Sequence, residues 1–368
     1  MRGFELHRGE RFRPATFQLH HHAADHPHLA IWHANVGEPV ALDHAPPLPG
    51  PPAELDVVSW NVHIGRGRID AVLERLHALH PRPDGATRPL VLLLQEAYRA
   101  DPSLPPCANA CHGGRPGRGP RQDVVTAARE LGLSLRYAPS MRNGVEPSDR
   151  GNAVLSTAAL GPAHAFALPY VRQRRVVVAA ELAGVPGLTF ASAHLDTHGV
   201  PRDHALPGPA AGTRAAARQH GSAGPLDRFR RRFAHLGPLG RGRAVQARAL
   251  AERLAGQGTV VLGADLNSLF GDRDPAVRAL AAAGWSAARR TGGRRHTLAG
   301  PLRLLLDHIL FRNAGAYNVE VAVRRLEPPR GAAVPLAFGS DHHPLHARIR
   351  LTAIAWPAST LAPGRLAS

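Results

Sequence analysis

The sequence TVVLGADLN, residues 259–267, combines an apolar run with a polar end, and it decides the fold class that we predict. Aliphatic and β-branched side chains in a short run are typical of a buried β-strand. Asp265 and Asn267 follow where this strand is expected to end. Similar runs recur along the chain, and amphipathic helical patterns lie between them. Many strands with intervening helices and no internal repeat predict an α/β domain with a large sheet core.

The individual elements follow from local hydrophobic patterns. Apolar and β-branched runs predict further strands at 56–60, 90–96, 152–157, 175–182, 188–195, 302–311 and 346–351. Apolar residues spaced i, i+3, i+4 predict helices at 69–79, 124–132 and 243–254.

The chain divides into three predicted segments. Residues 1–54 form an N-terminal extension rich in His and Pro, residues 55–351 form the main domain, and residues 352–368 form a loose tail. The Gly- and Pro-rich stretch at about 199–242 is predicted to be an insertion loop on the surface of the domain. The histidine tract at 20–28 has the composition of a metal-binding segment, but without cysteines or regular spacing an exposed polar leader is the favoured interpretation.

The composition indicates a globular protein with a strongly basic balance. The 368 residues are 44% hydrophobic, which is enough for a sizeable core, and the formal charge is +17. Such a charge suits a nucleic-acid partner. However, every basic residue is Arg and none is Lys, and the chain is rich in Ala, Gly and Pro, so a coding bias explains the charge equally well.

No apolar run approaches the roughly 18 residues of a transmembrane helix. The sequence MRGFELHRGERFRP at the start lacks the apolar segment of a secretory signal, so we expect a cytoplasmic monomer.

Cys107 and Cys111 lie four residues apart in a loop-like stretch. A disulfide, a partial metal site with His112 and two unrelated thiols are all open interpretations. Two thiols in a cytosolic chain are most often reduced, and we predict no catalytic role for them.

Polar side chains recur where the predicted strands stop. Each alone is more often a turn residue or a helix cap. Together they supply oxygen and imidazole ligands without a thiol cluster, which suits Mg²⁺ or Mn²⁺ better than structural zinc. A hard cation neutralises phosphoryl oxygens, and a histidine with a pKa of about 6.5 can deprotonate water near neutral pH, so the set predicts hydrolysis of a phosphate ester. The set comprises Asn61, Glu96, His194, Asp265, Asn267, Asp307 and Asp341 with its neighbouring histidines.

Seven blocks in order along the chain resemble the motifs of the endonuclease/exonuclease/phosphatase superfamily, which includes DNase I, exonuclease III and neutral sphingomyelinases. The resemblance covers roughly residues 55–351. It implies a four-layer α/β/β/α sandwich of two packed mixed sheets, with the site at one rim of the sheets. The blocks are SWNVHIG, LLLQEAYR, RGNAVLS, SAHLDTH, LGADLNS, LLDHILF and GSDHHPLHARI.

The resemblance also implies metal ligands. Glu96 matches the principal metal carboxylate, Asn61 matches a second metal-site motif, and Asp341 would lie beside the metal, which would be Mg²⁺ or Mn²⁺.

The same resemblance implies catalytic roles. Asp265 and Asn267 match the pair that orients the nucleophilic water and contacts the scissile phosphate. His342 matches the general base and Asp307 the carboxylate that orients it, in agreement with the need of a histidine base for a partner on its other nitrogen. His194 would bind a phosphoryl oxygen or assist the leaving group.

The stretch GSDHHPLH, residues 339–346, contains three histidines, of which only His342 is expected to act. His343 should point away from the site if the segment is extended, because adjacent side chains then face opposite directions. His346 begins a strand and is expected to be structural.

The polar loop before residue 152 is predicted to reach the edge of the site. Arg142, Asn143 and Asn152 are candidates for contacts with substrate phosphate, and a solvated turn is an equally good interpretation of them. For Arg243 and Gln246, near the start of a predicted helix, an exposed helix face is favoured.

Two positions depart from the exonuclease III branch, namely His63 in place of an acid and His194 in place of an asparagine. The chain therefore looks closer to DNase I and the sphingomyelinases, and a role in apurinic-site repair is disfavoured. We predict a nuclease acting on DNA or RNA, although aromatic residues for stacking bases are only 5% of the chain. The alternative is a lipid or small-molecule phosphoesterase, and the lack of an apolar hairpin disfavours a lipid substrate. A third interpretation is a non-catalytic interaction module.

Overall fold

The protein is represented by a computed structural model that describes residues 17–20, 27–79, 88–104, 119–197, 240–329, 331 and 336–354. Cys107, Cys111, nearly all of the predicted insertion loop and C-terminal tail, and much of the histidine tract lie outside the described residues.

One mixed sheet contains seven strands. Neighbouring strands are antiparallel except for β1 with β7 and β9 with β10, which are parallel. In spatial order the strands are β1 (Phe17–His20), β7 (Leu160–Ala167), β8 (Val176–Leu182), β9 (Val185–His194), β10 (Thr259–Asp265), β13 (Asp307–Arg312) and β11 (Ser286–Ala287).

The second mixed sheet contains eight strands. Its parallel pairs are β3 with β4 and β12 with β14. In spatial order the strands are β12 (Arg289–Arg290), β14 (Tyr317–Arg325), β15 (Leu345–Ala353), β3 (Glu54–Asn61), β4 (Leu90–Ala100), β6 (Ser148–Ser156), β5 (Ser134–Arg142) and β2 (Val40–Leu42).

Helices cover the outer faces of both sheets. The helices are α1 (Pro27–Ala34), α2 (Ile69–Leu79), α3 (Val124–Glu130), α4 (Arg241–Arg253) and α5 (Pro275–Ala282), with a short 3₁₀ turn at Gly271–Arg273. Buried side chains of α2 and α3 pack on the eight-stranded sheet, and those of α4 and α5 pack on the seven-stranded sheet. A third apolar cluster fills the space between the two sheets. The predicted four-layer α/β/β/α sandwich is therefore confirmed.

Gly263 lies on β10 where the two sheets approach each other closely. A Cβ atom at this position would lie 2.6 Å from Ser59 Oγ and 2.8 Å from Leu93 Cβ, on the facing strands β3 and β4. The glycine of the opening sequence therefore permits the sheet contact that brings Asp265 next to the end of β3.

Several local predictions need correction. The strand predicted at 302–311 begins only at Asp307, because the preceding residues form a loop in which the Thr297 hydroxyl accepts from the backbone N–H groups of Leu306 and Asp307. Residues of the predicted N-terminal extension take part in the fold, since β1 pairs with β7 and β2 pairs with β5.

Among the described residues, no helix is long and apolar enough to cross a membrane.

The predicted polar loop before residue 152 is a strand hairpin. β5 and β6 pair in register on both sides of a turn at 143–147, so Asn152 lies inside a strand instead of at its start. The sequence SLRYAPSMR of β5 contains a proline and two arginines, so its local propensity does not predict a strand.

Candidate active site

Three polar side chains lie in one row across the seven-stranded sheet. The parallel register of β9 and β10 places His194 beside Asp265, and the antiparallel register of β10 and β13 places Asp307 on the other side of Asp265. Residues paired in register on adjacent strands project from the same face of a sheet. The strand ends therefore bring His194, Asp265 and Asp307 together, although up to 113 positions separate them along the chain.

The second sheet supplies Asn61 and Glu96 to the same rim. Asn61 ends β3, and its side-chain nitrogen donates to Asp265 Oδ2 at 2.9 Å, which joins the two sheets. Glu96 lies at an irregularity of β4 between Leu94 and Ala97, where its φ of 53° is in the left-handed region. Such a backbone conformation is uncommon for a residue with a side chain and re-aims it relative to a regular strand. Glu96 Oε1 lies 4.0 Å from His194 Nδ1.

His342 contacts Asp307 directly. Its Nδ1 lies 2.8 Å from Asp307 Oδ2, and both side chains are buried. The backbone around His342 is fixed by Trp60 Nε1, which donates to the His342 carbonyl at 2.7 Å, and by the Ser340 hydroxyl, which accepts from the His342 N–H. A carboxylate on Nδ1 sets the tautomer that leaves Nε2 facing the rest of the site.

The neighbouring histidines face elsewhere, as predicted. His343 Nδ1 lies 3.6 Å from Glu327 Oε2, and the His343 ring packs edge-on against His296. His346 Nε2 lies 2.9 Å from Asp56 Oδ1 and links β15 to β3. Only His342 of the three contacts Asp307.

Asp265 occupies the centre of the site. Its Oδ1 accepts from the backbone N–H of Asn267 at 2.9 Å, and its Oδ2 lies 3.5 Å from His194 Nε2 and 3.9 Å from His342 Nε2. Asn267 has a φ of 50°, a conformation that asparagine tolerates better than most residues, and its side chain donates to the carbonyl of Leu195. The separation of 3.9 Å is too long for a direct hydrogen bond, so the two groups can hold one water between them.

Asp341 lies on the solvent side of His342. Its carboxylate is half exposed, and its Oδ1 lies 4.0 Å from His342 Nε2 and 3.2 Å from His63 Nδ1. His63 itself has a φ of 50°, and its backbone N–H donates to the side-chain oxygen of Asn61. The departure from the exonuclease III branch at position 63 therefore places an imidazole next to Asp341.

The charges of the site shift its pKa values strongly. Burial and the neighbouring charge of Asp307 raise the pKa of Asp265 to about 7. Burial disfavours the charged form of His342, but the carboxylates of Asp307 and Asp265 outweigh burial and raise the pKa of His342 to about 10. Burial and the positive charge of Arg175 hold the pKa of His194 well below 6.5. The site thus contains one charged and one neutral imidazole near neutral pH.

We expect His308, the residue after Asp307, to make the fold sensitive to acid. Burial, followed by the charge of Arg290, lowers the pKa of His308 from 6.5 to about 4, and its Nε2 lies 2.7 Å from the Ser268 hydroxyl. The unfolded chain binds this proton below about pH 6.5 while the folded chain does not. The stability contributed by neutral His308 is therefore present at pH 7 and is lost as the pH falls towards 4, by about 2 kcal/mol between pH 7 and pH 5.

The measurement is urea unfolding of the wild type and of His308→Gln at pH 7 and pH 5, with EDTA throughout. The variant should lose less stability than the wild type on acidification. An equal loss in both proteins would contradict the assignment.

The sequence profile described as "Endonuclease/Exonuclease/phosphatase family" matches residues 58–342, which span every side chain of this rim. The chain belongs to this family. It is accordingly a hydrolase of phosphate ester bonds. No curated protein sequence matches the chain.

Solved structures of the family resemble the chain in fold. An endonuclease/exonuclease/phosphatase from Beutenbergia cavernae DSM 12333 is 19% identical with a TM-score of 0.48, and the match covers 82% of this chain and 72% of that one. The human Nocturnin catalytic domain with bound sulfate is 15% identical with a TM-score of 0.45, over 86% of this chain and 97% of that one. The Bacteroides thetaiotaomicron mannosyl-6-phosphatase Bt3783 is 11% identical with a TM-score of 0.44, over 81% and 99%.

Enzymes of the family generally depend on a divalent metal ion, and the donor set of this rim fits such an ion. Two buried carboxylates, Asp265 and Asp307, lie side by side, and Asp307 Oδ1 accepts no hydrogen bond within the described part of the chain. Asp265, Asp307 and His342 each place one ligand atom within 4.8 Å of the others. This trio differs from the predicted ligands Glu96, Asn61 and Asp341. The 2.8 Å contact already engages His342 Nδ1, but Asp265 and Asp307 offer carboxylate oxygens as Glu96 and Asp341 do, so Glu96, Asn61 and Asp341 stay a prediction.

The predicted substrate residues lie near the rim but are not solvated. Arg142, Asn143 and Asn152 are all buried, so the interpretation as a solvated turn is wrong. The side-chain nitrogen of Asn152 donates to the carbonyls of Val176 and Ser192 and links the two sheets, so both of its donors are already used. The structure therefore does not bring the Asn152 donors into the site.

Arg243 and Gln246 are fully buried, so the prediction of an exposed helix face is wrong. Arg243 donates to Asp274 Oδ2 at 2.9 Å, and Gln246 accepts from the backbone N–H of Asp196. The helix α4 carries these polar residues inward because the segment that follows β9 needs partners for its backbone groups.

Two arginines beside the site were missed by the sequence analysis. Arg150, on β6, acts electrostatically on Glu96, and Arg175, directly before β8, acts on His194. Arginine is so common in this chain that neither position stood out. The available signal was that both lie in or beside the strand-forming sequences DRGNAVLS and RRVVVAAEL.

Proposed function

We propose that the chain is a Mg²⁺- or Mn²⁺-dependent phosphodiesterase in which His342 activates the attacking water. The observation that carries this proposal is the 2.8 Å contact between His342 Nδ1 and Asp307 Oδ2, with His342 Nε2 facing Asp265. A buried carboxylate behind an imidazole, and a second acceptor in front of it, are the arrangement that a general base for water needs.

Each residue of the rim has a role in this proposal. Asp307 holds the imidazole of His342 in one orientation, and Asp265 shares the water with His342 Nε2. Asn61 and the backbone N–H of Asn267 hold the two oxygens of Asp265 in place. His194 is buried and neutral, so its ring donates a hydrogen bond to a phosphoryl oxygen or assists the leaving group without adding a charge.

Glu96, with Asn61 and Asp341, would hold the divalent cation. When bound, this cation neutralises negative charge at the rim and polarises the phosphoryl oxygens. Although burial disfavours the charged form, the carboxylates of Asp307 and Asp265 raise the pKa of His342. A cation bound beside them would offset their charge and favour the neutral imidazole that a general base needs.

A nuclease acting on DNA or RNA is the substrate class that we favour. The formal charge of +17 supports a polyanionic substrate. Plasmid DNA, single-stranded RNA and sphingomyelin vesicles should be compared in one assay series, because lipid and small-molecule phosphoesters are the alternative substrates. Cleavage of the vesicles alone would overturn the nuclease assignment and leave the phosphodiesterase assignment in place.

We expect Glu96→Gln to abolish most of the metal-dependent hydrolysis of bis-p-nitrophenyl phosphate. Loss of one carboxylate ligand weakens binding of a hard cation, so the variant should need a higher Mg²⁺ concentration for half-maximal rate. The rate is measured across a Mg²⁺ titration after treatment with EDTA. His44→Ala is the matched control, because His44 is exposed and the neighbouring Ala45 contacts Ser134 at the opposite end of the eight-stranded sheet. Wild-type activity that persists in EDTA, or an unchanged Mg²⁺ dependence in Glu96→Gln, would show that the metal assignment is wrong.

A further inference from the structure

Two buried arginines lie beside the candidate active site with few partners of their own. Arg150 is 8% exposed and Arg175 is 4% exposed. A buried charge is costly unless an opposite charge and hydrogen bonds compensate it. The partners of these two guanidinium groups therefore decide whether they serve the fold or a ligand.

Within the described part of the chain, the side chain of Arg150 is held by one hydrogen bond. Its Nη1 donates to the side-chain oxygen of Asn143 at 2.7 Å, and the Asn143 side-chain nitrogen in turn donates to the Ser148 hydroxyl. No carboxylate of the described residues lies within ion-pair distance of Arg150, and Glu96 is the acidic group that acts on it from farther away. Asn143 therefore fixes the direction of the guanidinium without neutralising it.

Arg175 has a carboxylate nearby but makes no side-chain hydrogen bond within the described residues. Its Nη2 lies 4.0 Å from Asp196 Oδ1, too far for a hydrogen bond, and its Nε is buried without a partner among the described residues. Asp196 is already used by other groups, because its carboxylate accepts from the backbone N–H groups of Arg172, Gln173 and Thr197. The guanidinium of Arg175 therefore retains donors that the described residues do not satisfy.

The strand register places Arg175 next to His194 at the end of the catalytic row, one residue before the position opposite His194. β8 and β9 are antiparallel with Val178 opposite Ser192, so the start of β8 lies beside His194 at the end of β9. Continuing this register places Val176 opposite His194, and Arg175 is the residue directly before Val176. Arg175 therefore lies beside the end of β9 that carries His194, on the side of β9 away from Asp265 and Asp307. Arg150 approaches the same region from the other sheet, where Gly151 pairs with Ala97 next to Glu96.

We propose that Arg150 and Arg175 form an anion pocket that binds a second phosphate group of the substrate, next to the scissile phosphate. The inference rests on the proposed function, since it identifies the substrate class of that site. Guanidinium groups donate in a planar fork that matches phosphate oxygens, and two of them suit a dianion better than a single carboxylate. The pocket therefore selects nucleotides that carry a phosphate beside the bond to be cleaved.

The test compares thymidine dinucleotides that differ only in a terminal phosphate. The substrates are the unphosphorylated dinucleotide and its 5′-phosphorylated and 3′-phosphorylated forms, and kcat/KM is measured with Mg²⁺ for the wild type, Arg150→Gln and Arg175→Gln. Charge-assisted hydrogen bonds predict a preference of roughly 10–100-fold for one phosphorylated form in the wild type. Each variant should reduce this preference towards unity through a higher KM for the phosphorylated substrate. Arg129→Gln, an exposed arginine at the end of α3, should keep the preference.

A second readout is independent of turnover. Calorimetry with His342→Ala measures the affinity for the phosphorylated and unphosphorylated dinucleotides, with and without Arg175→Gln in the same chain. Tighter binding of a phosphorylated form that is lost with Arg175→Gln supports the pocket, whether or not the wild type hydrolyses any substrate. Equal affinities for both forms, or a preference that survives both arginine substitutions, would overturn it. Hydrolysis of bis-p-nitrophenyl phosphate that requires His342, together with equal affinities, would leave the proposed function standing and reject only the pocket.

Discussion

Replacement of His342 by alanine is expected to lower kcat/KM for bis-p-nitrophenyl phosphate by about 10²–10⁴-fold, the usual contribution of a general base. The expectation follows from the contact with Asp307 and from the position of Nε2 opposite Asp265. The loss should fall mainly on kcat, because the proton leaves the water in the transition state and the imidazole contributes little to binding of the ground state. Steady-state kinetics over a range of Mg²⁺ concentrations separate this effect from weaker metal binding.

His343→Gln is the matched control for this experiment. His343 is the adjacent histidine, is equally buried, and faces Glu327 and His296 instead of Asp307. Its replacement should change kcat by no more than a few-fold. If His343→Gln removes activity and His342→Ala retains it, the choice between the two histidines is reversed.

The variant Asp307→Asn tests whether Asp307 acts through His342. The side-chain nitrogen of an asparagine can donate to Nδ1 of His342. This favours the other tautomer of the imidazole, in which Nε2 points a hydrogen instead of a lone pair at the water. The variant should lose much of the activity that His342→Ala loses, and the double variant should be no worse than His342→Ala alone, because the two residues act as one unit. Additive losses would indicate that Asp307 acts independently of His342.

Local patterns predicted an α/β domain with a large sheet core and polar residues at its strand ends, whereas the four layers followed from the resemblance to the family. Apolar runs that end in polar residues mark strand ends, and the site lies where such ends meet. The same local reasoning failed at β5, where arginine, serine and proline interrupt a strand that is nevertheless fully buried. Long-range pairing with β6 and β2 stabilises this strand, and such pairing overrides local propensity.

The arrangement of charges within the site could not be predicted from the sequence. The parallel register of β9 with β10 determines that His194 and Asp265 are neighbours, and no single stretch of sequence specifies that register. The same holds for Arg175, which becomes a neighbour of His194 only through the pairing of β8 with β9. The residue types at the strand ends thus indicate which residues belong to a site. Sheet topology determines which of these residues are close enough to shift one another's pKa.

The buried pair of Arg243 and Asp274 should be the most sensitive position for stability. Both side chains are fully buried, and Arg243 Nη2 donates to Asp274 Oδ2 at 2.9 Å. Asp274 also caps α5, since its Oδ1 accepts from the backbone N–H of Ala276. Arg243→Met leaves this carboxylate buried without its partner, so the free energy of unfolding should fall by about 3–5 kcal/mol. Guanidinium chloride unfolding followed by circular dichroism measures the loss.

A double variant distinguishes the cost of an unpaired charge from the cost of lost packing. In Arg243→Met with Asp274→Asn the buried charge is gone while asparagine keeps the helix cap, so the double variant should be more stable than Arg243→Met alone. Arg68→Met is the control, because Arg68 pairs with Asp70 at an exposed position and such pairs contribute about 1 kcal/mol or less. A double variant as unstable as the single one would mean that Arg243 stabilises α4 and α5 by packing of its aliphatic stem, and that its charge is incidental to the fold.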